Sequence, residues 1–170
     1  MQTRPAVLRS DEAELIDLGG IGVRFLLPGG ETEQRVSVVE HPLAPRALAA
    51  PLHLHRGEDE YSFVISGQVG IQLGEAVTVV GPGAFVRKPR NQWHTFWNAG
   101  DDPARILEIT TPGGFEEYFR EIASYLGPQG PDIEKLMGAA QRYGLEFDMA
   151  SLPALVERHG LVSPDMPPEG

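Results

Sequence analysis

Between residues 22 and 112 the chain is broken up by turns at short intervals. GVRFLLPGG, QRVSVVEHPL, LHLH, EYSFVISGQVGIQLG, AVTVVGPGAFV, HTFWNAG and ARILEITTP are rich in β-branched and aromatic residues and are bounded by Gly, Pro, Asn or Asp. Many short strands need many tight turns, which accounts for 20 glycines and 15 prolines. No helical period interrupts the series before about residue 113. Alternating strand–helix units are therefore excluded, and an all-β sandwich or barrel is expected. At 170 residues, one domain with a single core is favoured.

After TTPGG the period changes. Phe115, Tyr118, Phe119, Ile122 and Leu126 fall on one helical stripe. A second helix is predicted from Pro131, with Ile133, Leu136, Met137 and Ala140 as its apolar stripe and Gly144 as a left-handed cap. A third runs from Ser151, as N-cap, to Gly160, with Leu155 and Val156 turned inward. The expected organisation is a β-barrel with N-terminal strands over 1–112, a helical extension over 113–160 and a flexible tail over 161–170. The apolar stripe of the extension has to be covered, either on the barrel's outer face or across its mouth.

Successive side chains of a strand point to opposite faces, so His53 and His55 project the same way, close enough to share one cation. For an isolated H-x-H pair, two surface histidines would be the better account. The neighbours tip the balance. Gly57 lets the chain turn, and Glu58, Asp59 and Glu60 open the next strand, along which Glu60, Ser62 and Val64 share a face. SGQ at 66–68 reads as a hairpin turn that returns VGIQL alongside. His94 opens another β-rich run after a loop tightened by Pro89 and Asn91. Three of the five histidines and one glutamate could thus converge. Cysteine is absent, which excludes disulfides and thiolate metal sites and leaves His, Asp and Glu as strong ligands.

These stretches resemble the two motifs of the cupin superfamily, G-x5-H-x-H-x3,4-E-x6-G and G-x5-P-x-G-x2-H-x3-N. The first is matched by His53, His55, Glu60 and Gly67, and the second by Gly83, Pro89, His94 and Asn98. Ala47 and Asn91 stand where the motifs have glycine; asparagine tolerates left-handed backbone better than most residues. The resemblance covers about residues 34–112 and implies a double-stranded β-helix barrel of the cupin, or jelly-roll, kind. It also implies one divalent transition metal ion held by His53, His55, Glu60 and His94, with positions open for water or substrate. Fe, Mn, Ni, Co and Zn all accept such a ligand set. The segment PGGFEEYFREI is similar to that of short bacterial cupins called quercetinase-like. That likeness implies a metal-dependent dioxygenase of the quercetin 2,3-dioxygenase type, with Glu60 also serving as catalytic base. A non-oxidative isomerase or lyase, or a cupin that binds a small molecule without turnover, would suit the same centre.

Other residues are assigned more modestly. Phe96 shares the parity of His94 and Asn98 and is a candidate substrate-binding residue. Trp97 has the opposite parity and is expected in sheet packing or an interface. Asp59 ranks second to Glu60 as a ligand, and His41 and His159 match no ligand spacing. Arg87, Lys88 and Arg90 read as a solvated turn, or as an attractor of anionic substrate. Net charge is 14 − 24 = −10, so nucleic acid and anionic membrane surfaces are unfavourable partners. A small-molecule substrate, a cytoplasmic location and a homodimer that covers exposed strand edges are expected.

Overall fold

The computed structural model describes residues 7–127 and 130–162. Its strands are β1 (Leu15–Asp17), β2 (Gly22–Leu27), β3 (Ser37–Leu43), β4 (Leu52–His55), β5 (Asp59–Ser66), β6 (Val69–Leu73), β7 (Ala76–Val80), β8 (Phe85–Lys88), β9 (His94–Asn98) and β10 (Ala104–Thr111). The extension adds α1 (Glu116–Ala123), β11 (Leu126–Gly127), β12 (Gly130–Pro131), α2 (Ile133–Arg142), β13 (Leu145–Asp148) and α3 (Ser151–His159). Two antiparallel sheets, in the orders β1-β2-β3-β10-β5-β8 and β13-β4-β9-β6-β7, face one another. This is the double-stranded β-helix expected from the sequence, with a helical segment at its C-terminal side.

The register fixes what fills the interior. Val39, Glu108, Ser62 and Val86 lie abreast across β3, β10, β5 and β8, and Ser37, Thr110, Glu60 and Lys88 form the next row. The apolar core of Ile21, Leu43, Val64, Val69, Ile71, Phe96, Ala104 and Ile106 occupies one end of the barrel. Polar side chains therefore collect at the other end. One turn differs from its sequence reading. SGQ does not make a hairpin, because β5 pairs with β10 and β8 whereas β6 pairs with β7 and β9. The turn carries the chain from one sheet to the other, with Gly67 at φ 81° and so close to Ala104 that a Cβ would lie 2.5 Å from its Cβ.

The extension is woven into the barrel. β13 pairs along β4, Leu145 opposite His55 and Phe147 opposite His53. A buried carboxylate sets the start of α1: Glu116 accepts from Gly29 N at 2.6 Å and from Gly114 N at 2.8 Å. Phe115, Tyr118, Ala139, Ala140 and Leu145 then form a second apolar cluster between α1, α2 and β13. Asp132 caps α2 by accepting from Lys135 N, and Gly144 ends it at φ 68°. α3 lies on the outer side of β9, where Leu155 and Leu161 join Leu48 and Trp97. Trp97 is thereby sheet packing, its ring stacked 4.3 Å from His159. Leu161 is buried and Val162 bridges to Ala47; the rest of the expected tail, 163–170, lies outside the described residues.

Candidate metal centre

Short strands on opposite walls deliver the predicted ligands to one point. β4 turns His53 and His55 inward, and His94 at the start of β9 stands directly opposite His53. Their rings are 4.4 Å apart, and those of His55 and His94 are stacked at 5.6 Å. Glu60 reaches across from β5. One ligand atom from each of His53, His55, Glu60 and His94 lies within 4.8 Å of the others, and all four side chains are buried. Asn91, at the motif's glycine position, takes the left-handed conformation at φ 63°, and its N–H donates to His55 O at 2.8 Å. Asp59 is turned away, accepting from Arg90 N at 2.8 Å and Nη2 at 2.9 Å.

Hydrogen bonding sets the tautomers. His53 Nδ1 lies 2.9 Å from Pro51 O and His94 Nδ1 2.8 Å from Gln92 O. A carbonyl can only accept, so each Nδ1 carries the proton. Burial, ahead of the neighbouring charges, lowers the pKa of both rings. Each ring is therefore neutral, with a lone pair on Nε2. His94 Nε2 then faces Glu60 Oε2 at 3.0 Å, and His55 Nε2 lies 3.4 Å from Oε1. Burial opposes ionisation of Glu60, but His55 and Lys88 outweigh it and hold the carboxyl well below the usual carboxylate range. Lone pairs thus converge with a carboxylate in a buried space, an arrangement that a divalent cation satisfies. His55 Nδ1 lies 3.6 Å from Glu58 Oε2, an ion-pair distance longer than a hydrogen bond, on the side from which a carboxylate orients a metal-ligating histidine. The donor set fits the metal.

Lys88 belongs to this interior. It is 1% exposed, its Nζ lies 3.2 Å from Glu60 Oε2 and 2.8 Å from Glu108 Oε2, and Ser62 Oγ donates to the same Glu108 oxygen at 2.9 Å. The solvated-turn reading holds for exposed Arg90; Arg87 is exposed but lies on β8, and Lys88 is buried. Alternation along β8 points Lys88 inward, a parity its basic neighbours hide. His41 is not among the four ligands, as its spacing implies, yet it is not remote from them. It is 2% exposed and borders the same cavity as the metal-centre residues.

That cavity has a volume of about 220 Å³. His53, His55, Glu60, Glu108 and Phe96 line its depth, and Phe115, Tyr118, Phe119, Ile122, Leu136 and Phe147 of the extension roof it. The roof touches the centre itself: the Phe115 ring lies edge-on to His55 at 4.5 Å, and Phe147 is 5.7 Å from His53. Phe96 lines the cavity as its parity predicts, with its ring 6.0 Å from His41 and 4.9 Å from Lys88 Nζ.

The family model described as "Cupin domain" matches residues 40–110. This segment is similar to the cupin domain. It includes all four residues of the centre together with Lys88 and Glu108. Solved structures share the architecture. A sugar phosphate isomerase of the cupin superfamily from Silicibacter pomeroyi superposes with a TM-score of 0.56 at 23% identity, over 62% of this chain and 74% of that one. KdgF from Halomonas sp. gives 0.58 at 16%, over 67% and 99%. A predicted oxalate decarboxylase from Thermotoga maritima gives 0.57 at 19%, over 62% and 98%. Identities this low carry the fold alone. No functionally curated protein matches the chain. No helix among the described residues is long and apolar enough to cross a membrane.

Proposed function

We propose that the protein is a metal-dependent oxygenase, akin to quercetin 2,3-dioxygenase, acting on an apolar small molecule that chelates the metal through oxygen. One observation carries this reading: the centre of three histidines and one glutamate opens into a cavity walled by aromatic and aliphatic side chains, and among the described residues no Lys or Arg borders it. A sugar phosphate or a small dicarboxylate would meet no cationic side chain there. A flat, largely apolar enol or phenol matches the lining.

His53, His55, Glu60 and His94 would hold the ion. When bound, a divalent transition metal supplies Lewis acidity toward a substrate oxygen and, if redox-active, electrons for reaction with dioxygen. The chain's own residues do the rest. Pro51 O and Gln92 O fix two imidazoles so that Nε2 faces the centre. Glu60, kept ionised with Lys88 at 3.2 Å, accepts the enol or phenol proton. Phe115, Phe147 and the roof residues exclude water and stack on the substrate's rings.

The test is anaerobic addition of quercetin to the metal-loaded protein, followed by a pulse of oxygen. Substrate-dependent oxygen uptake with loss of the flavonol absorbance is expected. No uptake across a panel of flavonols and diketones would overturn the oxygenase reading, and product formation without uptake would replace it with lyase or isomerase chemistry.

A further inference from the structure

Two cavity-bordering groups on the six-stranded wall have no part in holding the metal: His41 and Glu108. They come from adjacent strands. His41 pairs with Ile106 and Glu108 with Val39, so the two are diagonal neighbours on the inner face, about 7–8 Å apart in the backbone. Glu108 is 2% exposed, and both donors that reach it, Lys88 Nζ and Ser62 Oγ, converge on Oε2. Its Oε1 is buried with no hydrogen-bond partner. Burial raises the Glu108 carboxyl to about 7 against the pull of Lys88. A second cation cannot answer this oxygen, because the Lys88 ammonium sits 2.8 Å from its twin. Above about pH 7 the carboxyl is ionised, and what Oε1 then lacks is a hydrogen-bond donor.

His41 is an acceptor for a separate reason. Its Nδ1–H donates to Gly22 O at 2.9 Å, and burial lowers its pKa to about 4. The ring is neutral and Nε2 holds a lone pair. Phe96 lies against His41 and against Lys88, the residue that holds Glu108 Oε2, so an apolar ring stands on this side of the cavity.

We propose that Glu108 and His41 form a polar anchor for the substrate on the wall opposite the histidine ligands, Glu108 Oε1 and His41 Nε2 each accepting from a hydroxyl or N–H. This rests on the reading of the cavity as the substrate site. It adds that the substrate bears, besides its metal-binding oxygen, at least one donor group on an apolar frame. An aromatic polyol fits; its fully methylated ether does not.

Calorimetric titration of the full chain with 2-naphthol and with 2-methoxynaphthalene tests the anchor at about pH 8, above the Glu108 value of about 7, in EDTA-treated and in Zn2+-supplemented samples. The two probes share a frame and differ in the donor. The wild type should prefer 2-naphthol by about tenfold to a hundredfold in both samples, the range for one hydrogen bond to a charged acceptor. In Glu108→Gln the amide oxygen takes over the bonds to Lys88 and Ser62 and the –NH2 replaces Oε1. The preference should then vanish or reverse toward the ether, an exchange that mere loss of packing would not produce. His41→Phe should weaken the preference without reversing it, and the wild-type comparison stands even if Glu108→Gln fails to fold. Equal affinities in the wild type, or an unchanged preference in Glu108→Gln, overturn the anchor. So does failure of 2-naphthol to bind, while oxygen uptake with quercetin reports separately on the metal chemistry.

Discussion

Where His53 and His94 lean on backbone carbonyls, His55 has the Glu58 carboxylate 3.6 Å from its Nδ1. Removing a partner of this kind from a metal ligand typically weakens metal affinity by about tenfold to a hundredfold. Glu58→Ala should therefore lower Zn2+ or Co2+ affinity by that factor in competition with a chromogenic chelator, and unchanged affinity would show that His55 needs no orienting acceptor. At this scale the four ligands are legible in the sequence, because two motifs fix their spacing and strand parity fixes their direction. Lys88 and Glu108 are not. Lys88 sits between Arg87 and exposed Arg90, where a basic run reads as surface. Glu108 lies in ARILEITT, whose Leu107 and Ile109 look like the inward pair, yet Ala104, Ile106, Glu108 and Thr110 are the buried set. A barrel that encloses a polar centre breaks the apolar-inside rule at the positions that matter.

Element by element, the strands are readable from their turns, and the helices from their stripes and glycine stops. The partners are harder. The residues at 66–68 have hairpin composition, but pairing depends on which strands close the barrel, which is non-local. β13 gives no signal in the sequence because LEFD is four residues with no turn signature of its own and gains its identity only along β4. Packing between elements is tight enough to test. Gly70 of β6 faces Trp97 of β9, and a Cβ there would lie 2.0 Å from Trp97 Cε2. Gly70→Ala should destabilise the protein by about 1–3 kcal/mol or more. Because Trp97 stacks on His159, the same change should disturb α3, seen as altered tryptophan fluorescence and a lower Tm. A variant with native Tm and fluorescence would mean the ring has room to move.

For the whole molecule, buried neutral histidines tie stability to pH. His41 has a folded-state pKa of about 4 against an ordinary value of 6.5. Above pH 6.5 neither state holds the proton; between the two values only the unfolded chain does, so stability falls as pH falls. The loss is ~1.4 kcal/mol per pH unit and about 3 kcal/mol in all, with His53 and His94 shifted in the same sense. Urea unfolding from pH 7 to 4 should show His41→Gln losing less than the wild type; parallel curves would assign the protons elsewhere. Exposed Val77, Val79, Phe63 and Phe85 lie on or beside the free edges β7 and β8. A second copy covering them would give twice the 18.5 kDa of one chain by light scattering, and Phe85→Glu should return it to a monomer. A monomeric wild type would refute the dimer. The strand that follows α2 has a different consequence. A ceiling stitched to the wall at both ends cannot lift like a flap without unzipping hydrogen bonds beside His53 and His55. Molecules must instead slip past the half-exposed rim of Leu126, Ile133, Met137 and Met149, making that rim a sieve that sorts visitors by girth and greasiness before they meet the centre.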